Sequence, residues 1–257
     1  MITKNNFAPS HPSDRNFFLT LMLLVWAAII SGFTYDLMVY QAARGFQFPS
    51  IVHIHALVFV AWLVLFSLQI ILIRKNNLQL HKKLGMAAAF LIPLMVILGI
   101  MTAIITETVK FGTPDANTPF LSIMLGDMLV FGSLSAAGFY FRKSDSPAHK
   151  RLLLLATLAI SDAGFGRGFS YIVAPYFGKL YWTCTSYSEG FWPYIGFQLL
   201  GPLLLILALG IYDLITRKRL HPVYIVAVLW WLCINLFTGW LYFNLAWLKI
   251  ATHIVGH

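Results

Sequence analysis

Long apolar runs, each closed by a short polar break, set the pattern of this chain. About seven can be read, near residues 17–40, 51–73, 85–106, 120–141, 151–173, 191–215 and 223–246. Each is close to the roughly 20 residues that a helix needs to cross the hydrocarbon core of a bilayer. No strand-like alternation competes with them. A helix closes its backbone hydrogen bonds within one segment, as lipid requires. The pattern predicts an all-α polytopic bundle of about seven spans, forming a single transmembrane domain over residues 1–257. The breaks are too short for a soluble domain. The first run is longer than a signal-peptide core and no clear A-x-A site follows it, so it reads as a retained helix.

Composition agrees. The chain is 59% hydrophobic and 11% charged, with a mean hydropathy of +0.77. A soluble domain carries about 25% charged residues. The net charge of +9 would suit nucleic acid, but the positions of the charges argue for topology. Lys4, Arg15, Arg74, Lys75, Lys82, Lys83, Arg142, Lys143, Lys150, Arg151, Arg217, Lys218 and Arg219 all fall on one side of the predicted spans. Arg44, Lys110, Lys179 and Lys249 fall on the other. The positive-inside rule puts the N-terminus in the cytoplasm and the C-terminus outside, as for a bacterial inner-membrane protein. The expected partners are the bilayer and anionic headgroups at its cytoplasmic face, not nucleic acid. Cys184 and Cys233 form no CxxC or CxxCH motif, which argues against covalent haem attachment and a thiolate zinc site.

Glycine and proline mark the breaks at Gly45–Pro49, Gly112–Pro119 and Tyr176–Pro193. The last is aromatic-rich, as an interfacial belt or a cap over an outer pocket would be. The stretches "HPSDRNFFL", "HKKLGMAAA", "HKRLLLLAT" and "HPVYIVAVL" each open a helix with a histidine: His11, His81, His149 and His221. Bilayer thickness alone gives this spacing. His81 and His149 sit among basic residues at helix starts, which suits headgroup anchoring. A metal cluster of His81, His149 and His221 is the alternative.

Ionisable groups inside spans raise a functional hypothesis by default. Here they are Asp36, Asp127, Asp162 and Arg167. At about 1.5 Å per residue, Asp36 and His55 lie roughly 6 Å below the outer end of their spans, Arg167 roughly 9 Å and Asp127 roughly 10 Å. Gln198 is at a similar depth, and Asp162 and Asn235 are nearer the midplane. This outer-half polar layer reads in two ways. Asp127 and Arg167 could pair and lock spans four and five, with Asp162 capping a kink in "SDAGFGRGF". Or the layer is an occupied pocket. In "FPSIVHIHALVFVAW", His53 and His55 are two residues apart and point about 200° apart on a regular helix. They share one ion only if Pro49 delays the helix to near Ile54. A terminal "HIVGH" puts His253 and His257 on one helical face.

The stretches "HIHALVFVAWLVLFSLQIILIRKNNLQLHKKLG", "HKRLLLLAT" and "RLHPVYI" resemble a family of bacterial multi-helix inner-membrane proteins with no assigned reaction. The resemblance covers spans two to seven and implies a helical inner-membrane protein. Seven spans and a terminal HxxxH are also similar, more weakly, to the progestin and adiponectin receptor or ceramidase type of membrane hydrolase. That likeness implies zinc held by histidines near one membrane face. In those proteins the HxxxH opens the last span at the inner side, whereas here it follows that span on the outer side.

The expected site has His53, His55 and Asp127 as metal ligands, Asp162 as a deeper proton acceptor and Arg167 as an anion or counter-charge group in the catalytic role. A metal ion or haem would make it a redox or hydrolytic enzyme. The alternatives are a proton-coupled transporter of a small or lipophilic solute, with Asp162 and Asp127 as relay, and a non-catalytic subunit whose aromatic surface docks a larger membrane complex. The residues alone do not decide between enzyme, transporter and subunit.

Overall fold

The structure, a computed structural model, describes residues 7–41, 48–113, 116–168 and 191–256. Every regular element among them is helical. In chain order these are α1 (Asp14–Tyr35), a π-helical turn (Asp36–Gln41), α2 (Ser50–Arg74), α3 (Leu78–Gly85), α4 (Ala88–Lys110), a 3₁₀ turn (Thr118–Phe120), α5 (Leu121–Phe141), α6 (Ser146–Ala159), α7 (Asp162–Gly168), α8 (Phe191–Arg217), α9 (Pro222–Tyr242) and α10 (Leu245–Val255). Among the described residues, six segments are long and apolar enough to cross a bilayer: Asp14–Met38, Ser50–Arg74, Leu78–Lys110, Thr118–Phe141, Gln198–Arg217 and Pro222–Tyr242. The chain has the make-up of an integral, multi-pass membrane protein.

Local chemistry sets the helix ends. Asn77 Oδ1 accepts the Leu80 N–H at 3.1 Å, Asp145 Oδ1 that of Ala148 at 2.9 Å, and Asn244 Oδ1 that of Ala246 at 2.9 Å. Each caps a helix whose first amides have no partner inside it. Pro147 sits in the first turn of α6, where its missing N–H costs nothing. Asn76, at φ 56°, turns the chain out of α2.

The chain forms two compact units, residues 1–46 with 141–225 and residues 47–140 with 226–257. In the first, α7 packs between α1 and α8. Small residues permit this. A Cβ on Gly32 of α1 would stand 3.1 Å from the Gly168 amide nitrogen, and one on Gly164 would stand 3.0 Å from Ile29 Cα. The two backbones approach closely through these glycines, a common contact where lipid removes the hydrophobic drive. In the second unit, Trp62 of α2 is 1% exposed and sets its ring edge-on to Phe131 of α5 at 5.3 Å. Ser122 Oγ donates to the Thr238 carbonyl at 3.0 Å, joining α5 to α9. Ala251 and Val255 of α10 pack on Ala103 and Leu121. In each unit large apolar side chains are exposed, Met38 at 72% and Ile215 at 65% in the first, Phe90 at 76% and Leu57 at 70% in the second. An apolar shell of this kind suits lipid rather than water.

The expected span 151–173 has a different form over its described part. It is two helices, broken at Ile160 and Ser161. The aromatic stretch near 176–193 and Cys184 lie outside the described residues and side chains.

Candidate functional site

The break puts a carboxylate in the first unit's interior. Ser161 and Asp162 are 2% and 4% exposed. The Ser161 hydroxyl donates to the Leu158 carbonyl at 2.6 Å, turning the chain out of α6. Gly164 and Phe165 then donate their N–H groups to the Ser161 carbonyl at 3.0 and 3.1 Å, which starts α7. Asp162 is its first residue, and the Ala163 N–H faces the carboxylate. An acid at a helix N-terminus is the favourable sign for the helix dipole.

One turn on, Arg167 Nε donates to Asp36 Oδ2 at 3.4 Å and Nη1 to the Ala163 carbonyl at 2.9 Å. Its guanidinium lies 4.5 Å from the Phe33 ring centre. Asp36, from the turn that follows α1, supplies a counter-charge to Arg167. Asp127 is half-buried on α5.

The histidine pair does not take the geometry that shared chelation requires. Helix α2 starts at Ser50, directly after Pro49, so the delayed start does not occur. Both residues are helical. His53 is exposed, while His55 is half-buried with its ring 4.0 Å from Phe59 and its Nδ1 without a hydrogen-bond partner. Among the described residues no group of three or more His, Cys, Asp or Glu could hold a metal ion. The triad of His81, His149 and His221 is not such a group. His253 lies on α10, and His257 lies outside the described residues.

The strongest polar feature of the first unit is one the sequence reading passed over. Asp14 opens α1, Lys150 and Arg151 lie in the first turns of α6, and Asp213 and Arg217 close α8. Arg151 Nε donates to Asp213 Oδ2 at 2.7 Å, and its Nη2 donates to Oδ1. Arg217 Nη2 reaches both Asp14 oxygens, at 2.8 and 2.7 Å. Lys150 Nζ donates to Asp14 Oδ2 at 2.7 Å and the Tyr212 hydroxyl to Oδ1 at 2.8 Å. Two carboxylates thus hold three cations, and the five groups come from three helices. Such fork-to-carboxylate bonds are the stronger class. Burial pushes the Lys150 ammonium below its ordinary range, against the opposing pull of Asp14. His221 stands 3.4 Å from Asp145 through Nε2 and accepts the Val223 N–H at Nδ1, at 3.2 Å. Burial likewise pushes its imidazole down, and Asp145 opposes this. The sequence carried one signal of the network: Asp213 and Arg217 are four apart in an otherwise apolar helix, the spacing of a helical ion pair.

No family model, no curated protein and no solved structure matches the chain.

Proposed function

We propose that the protein is a proton-coupled transporter of a small or lipophilic solute in a bacterial inner membrane, with Asp162 as the group that takes and releases the proton. The supporting observation is the buried Asp162 at the break between α6 and α7. Broken helices with ionisable groups at the break recur where transporters bind solute and coupling ion. The resemblance to bacterial multi-helix inner-membrane proteins is compatible with this reading. Seven spans, a cytoplasmic N-terminus and an outer C-terminus complete it. Anionic headgroups then meet Arg74, Lys82, Lys83 and Arg142 at the inner face. Arg167, neutralised by Asp36, holds α7 to the end of α1 and positions the break.

The test uses vesicles holding the purified protein and a trapped pH dye. A panel of small organic anions, cations and neutral lipophiles is added outside. One class should evoke proton movement that Asp162→Asn abolishes and His55→Ala leaves intact. Proton movement unchanged by Asp162→Asn overturns the reading. So does activity that appears only with a stoichiometric co-purified membrane partner, which favours the subunit reading instead.

A second reading rests on the partnerless Nδ1 of His55. A buried imidazole nitrogen of this kind suits a ligand, either metal or haem. Metal or haem that co-purifies in stoichiometric amount and is lost in His55→Leu supports it. Protein free of both after haem- and metal-replete expression removes it.

A further inference from the structure

Residues 7–13 precede α1 and have no helical ladder of their own. Pro9 and Pro12 remove two amide donors from the segment. It is nevertheless held down. The Phe7 ring lies 4.4 Å from the Arg151 guanidinium and 5.2 Å from that of Arg217, and edge-on to His221 at 4.9 Å. The Ala8 carbonyl accepts from Arg217 Nε at 3.2 Å and the Pro9 carbonyl from Lys150 Nζ at 2.9 Å. The His11 N–H donates to Asp14 Oδ2 at 3.2 Å.

These contacts differ from those beneath them. Arg151 and Asp213 are 0% exposed and satisfy each other. The segment above is held by one buried ring, by the Ala8 carbonyl in a part-buried bond to Arg217 and by the Pro9 carbonyl in an exposed bond to Lys150, while Ala8, Pro9 and Ser10 are themselves exposed. Lys150, which pins Pro9, is 25% exposed in its side chain. We infer that Phe7–His11 is a releasable latch that closes the end of the first unit where α1 and α6 begin and α8 ends, and that its release admits water to the Arg151–Asp213 pair. The latch goes beyond the transport reading and does not rest on it. Its contacts are internal to the first unit whatever that unit carries.

The test is the mobility of a nitroxide on Ala8→Cys, in a Cys184→Ser, Cys233→Ser background, with the full chain in lipid vesicles. Ala8 is exposed, and it is its backbone carbonyl that makes the contact. A dominant pinned component with a minor mobile one is expected. Lys150→Gln removes a charge-assisted bond and should raise the mobile-to-pinned ratio about tenfold. Phe7→Ala should raise it at least as far, and Lys143→Gln, at an exposed lysine, should not. A second label at Leu214→Cys on α8 reports the fold and should stay unchanged throughout. The inference is overturned by a parent spectrum that is wholly mobile, by a ratio that Lys150→Gln moves less than about twofold, or by a Leu214 label that loosens in step. The last two outcomes make the segment a fixed brace.

Discussion

Arg151 and Asp213 stand 62 residues apart in the chain and share a two-pronged ion pair in which neither side chain is exposed to solvent. The pair joins the start of α6 to the end of α8. Removing two charges from water carries a large penalty, and their mutual bonds offset it only when both partners are present.

Asp213→Ala therefore leaves the Arg151 guanidinium buried without its carboxylate. The expected loss is about 3–5 kcal/mol. The double variant Arg151→Met, Asp213→Leu should recover most of it, because it buries no charge. Thermal unfolding in one detergent, across Arg151→Met, Asp213→Leu and the double, measures the coupling. A loss under about 1 kcal/mol in Asp213→Ala would show the pair to be idle.

Packing of α7 against α1 gives a steric prediction. Gly32→Val drives a side chain into the backbone of Gly164 and Gly168. Neither backbone can yield without moving the break that carries Asp162. The expected cost is about 1–3 kcal/mol or more, read as lost thermal stability. Gly196→Ala on α8, where a Cβ would meet open space, is the control and should be neutral. Equal effects in the two variants would contradict the close approach.

Acid should weaken the same unit through His221. Burial holds its imidazole below the ordinary 6.5. The folded state thus favours the neutral ring, and the unfolded chain takes up its proton first as pH falls. The stability linked to this group is complete above about pH 6.5 and is lost as pH drops through that value toward the folded one. The charges that face the ring are Asp145 and Arg151 of the α6 start and Asp213 of α8. Melting temperature should fall between pH 7 and pH 5 in the parent and fall less in His221→Gln. Parallel slopes would assign the acid loss to other groups.

Much of the fold was legible because lipid leaves the chain few choices. Apolar runs near 20 residues long mark spans directly, and six of them stand as such helices. Asp162 and the kink in "SDAGFGRGF" were legible too, since a carboxylate among glycines inside an apolar run has few structural explanations. The pairing of charges was not. Lys150, Arg151 and Arg217 read as topology signals, because periodicity says nothing about which helix end meets which. Asp14 carried no sequence signal of its role, yet it is 8% exposed and gathers Lys150, Tyr212 and Arg217. The outer polar layer was inferred from depth alone. Depth could not show that Arg167 meets Asp36, a tertiary contact between α7 and the end of α1.

The most direct measurement is the initial rate of solute-evoked proton entry into vesicles, compared among the parent, Asp162→Glu and Asp162→Asn at equal protein content. A carboxylate that takes and releases the proton predicts a measurable rate in the first two and none in the third, with binding of the evoking solute retained. A rate in Asp162→Asn equal to the parent's would contradict the account, because an amide at the helix break cannot carry the proton.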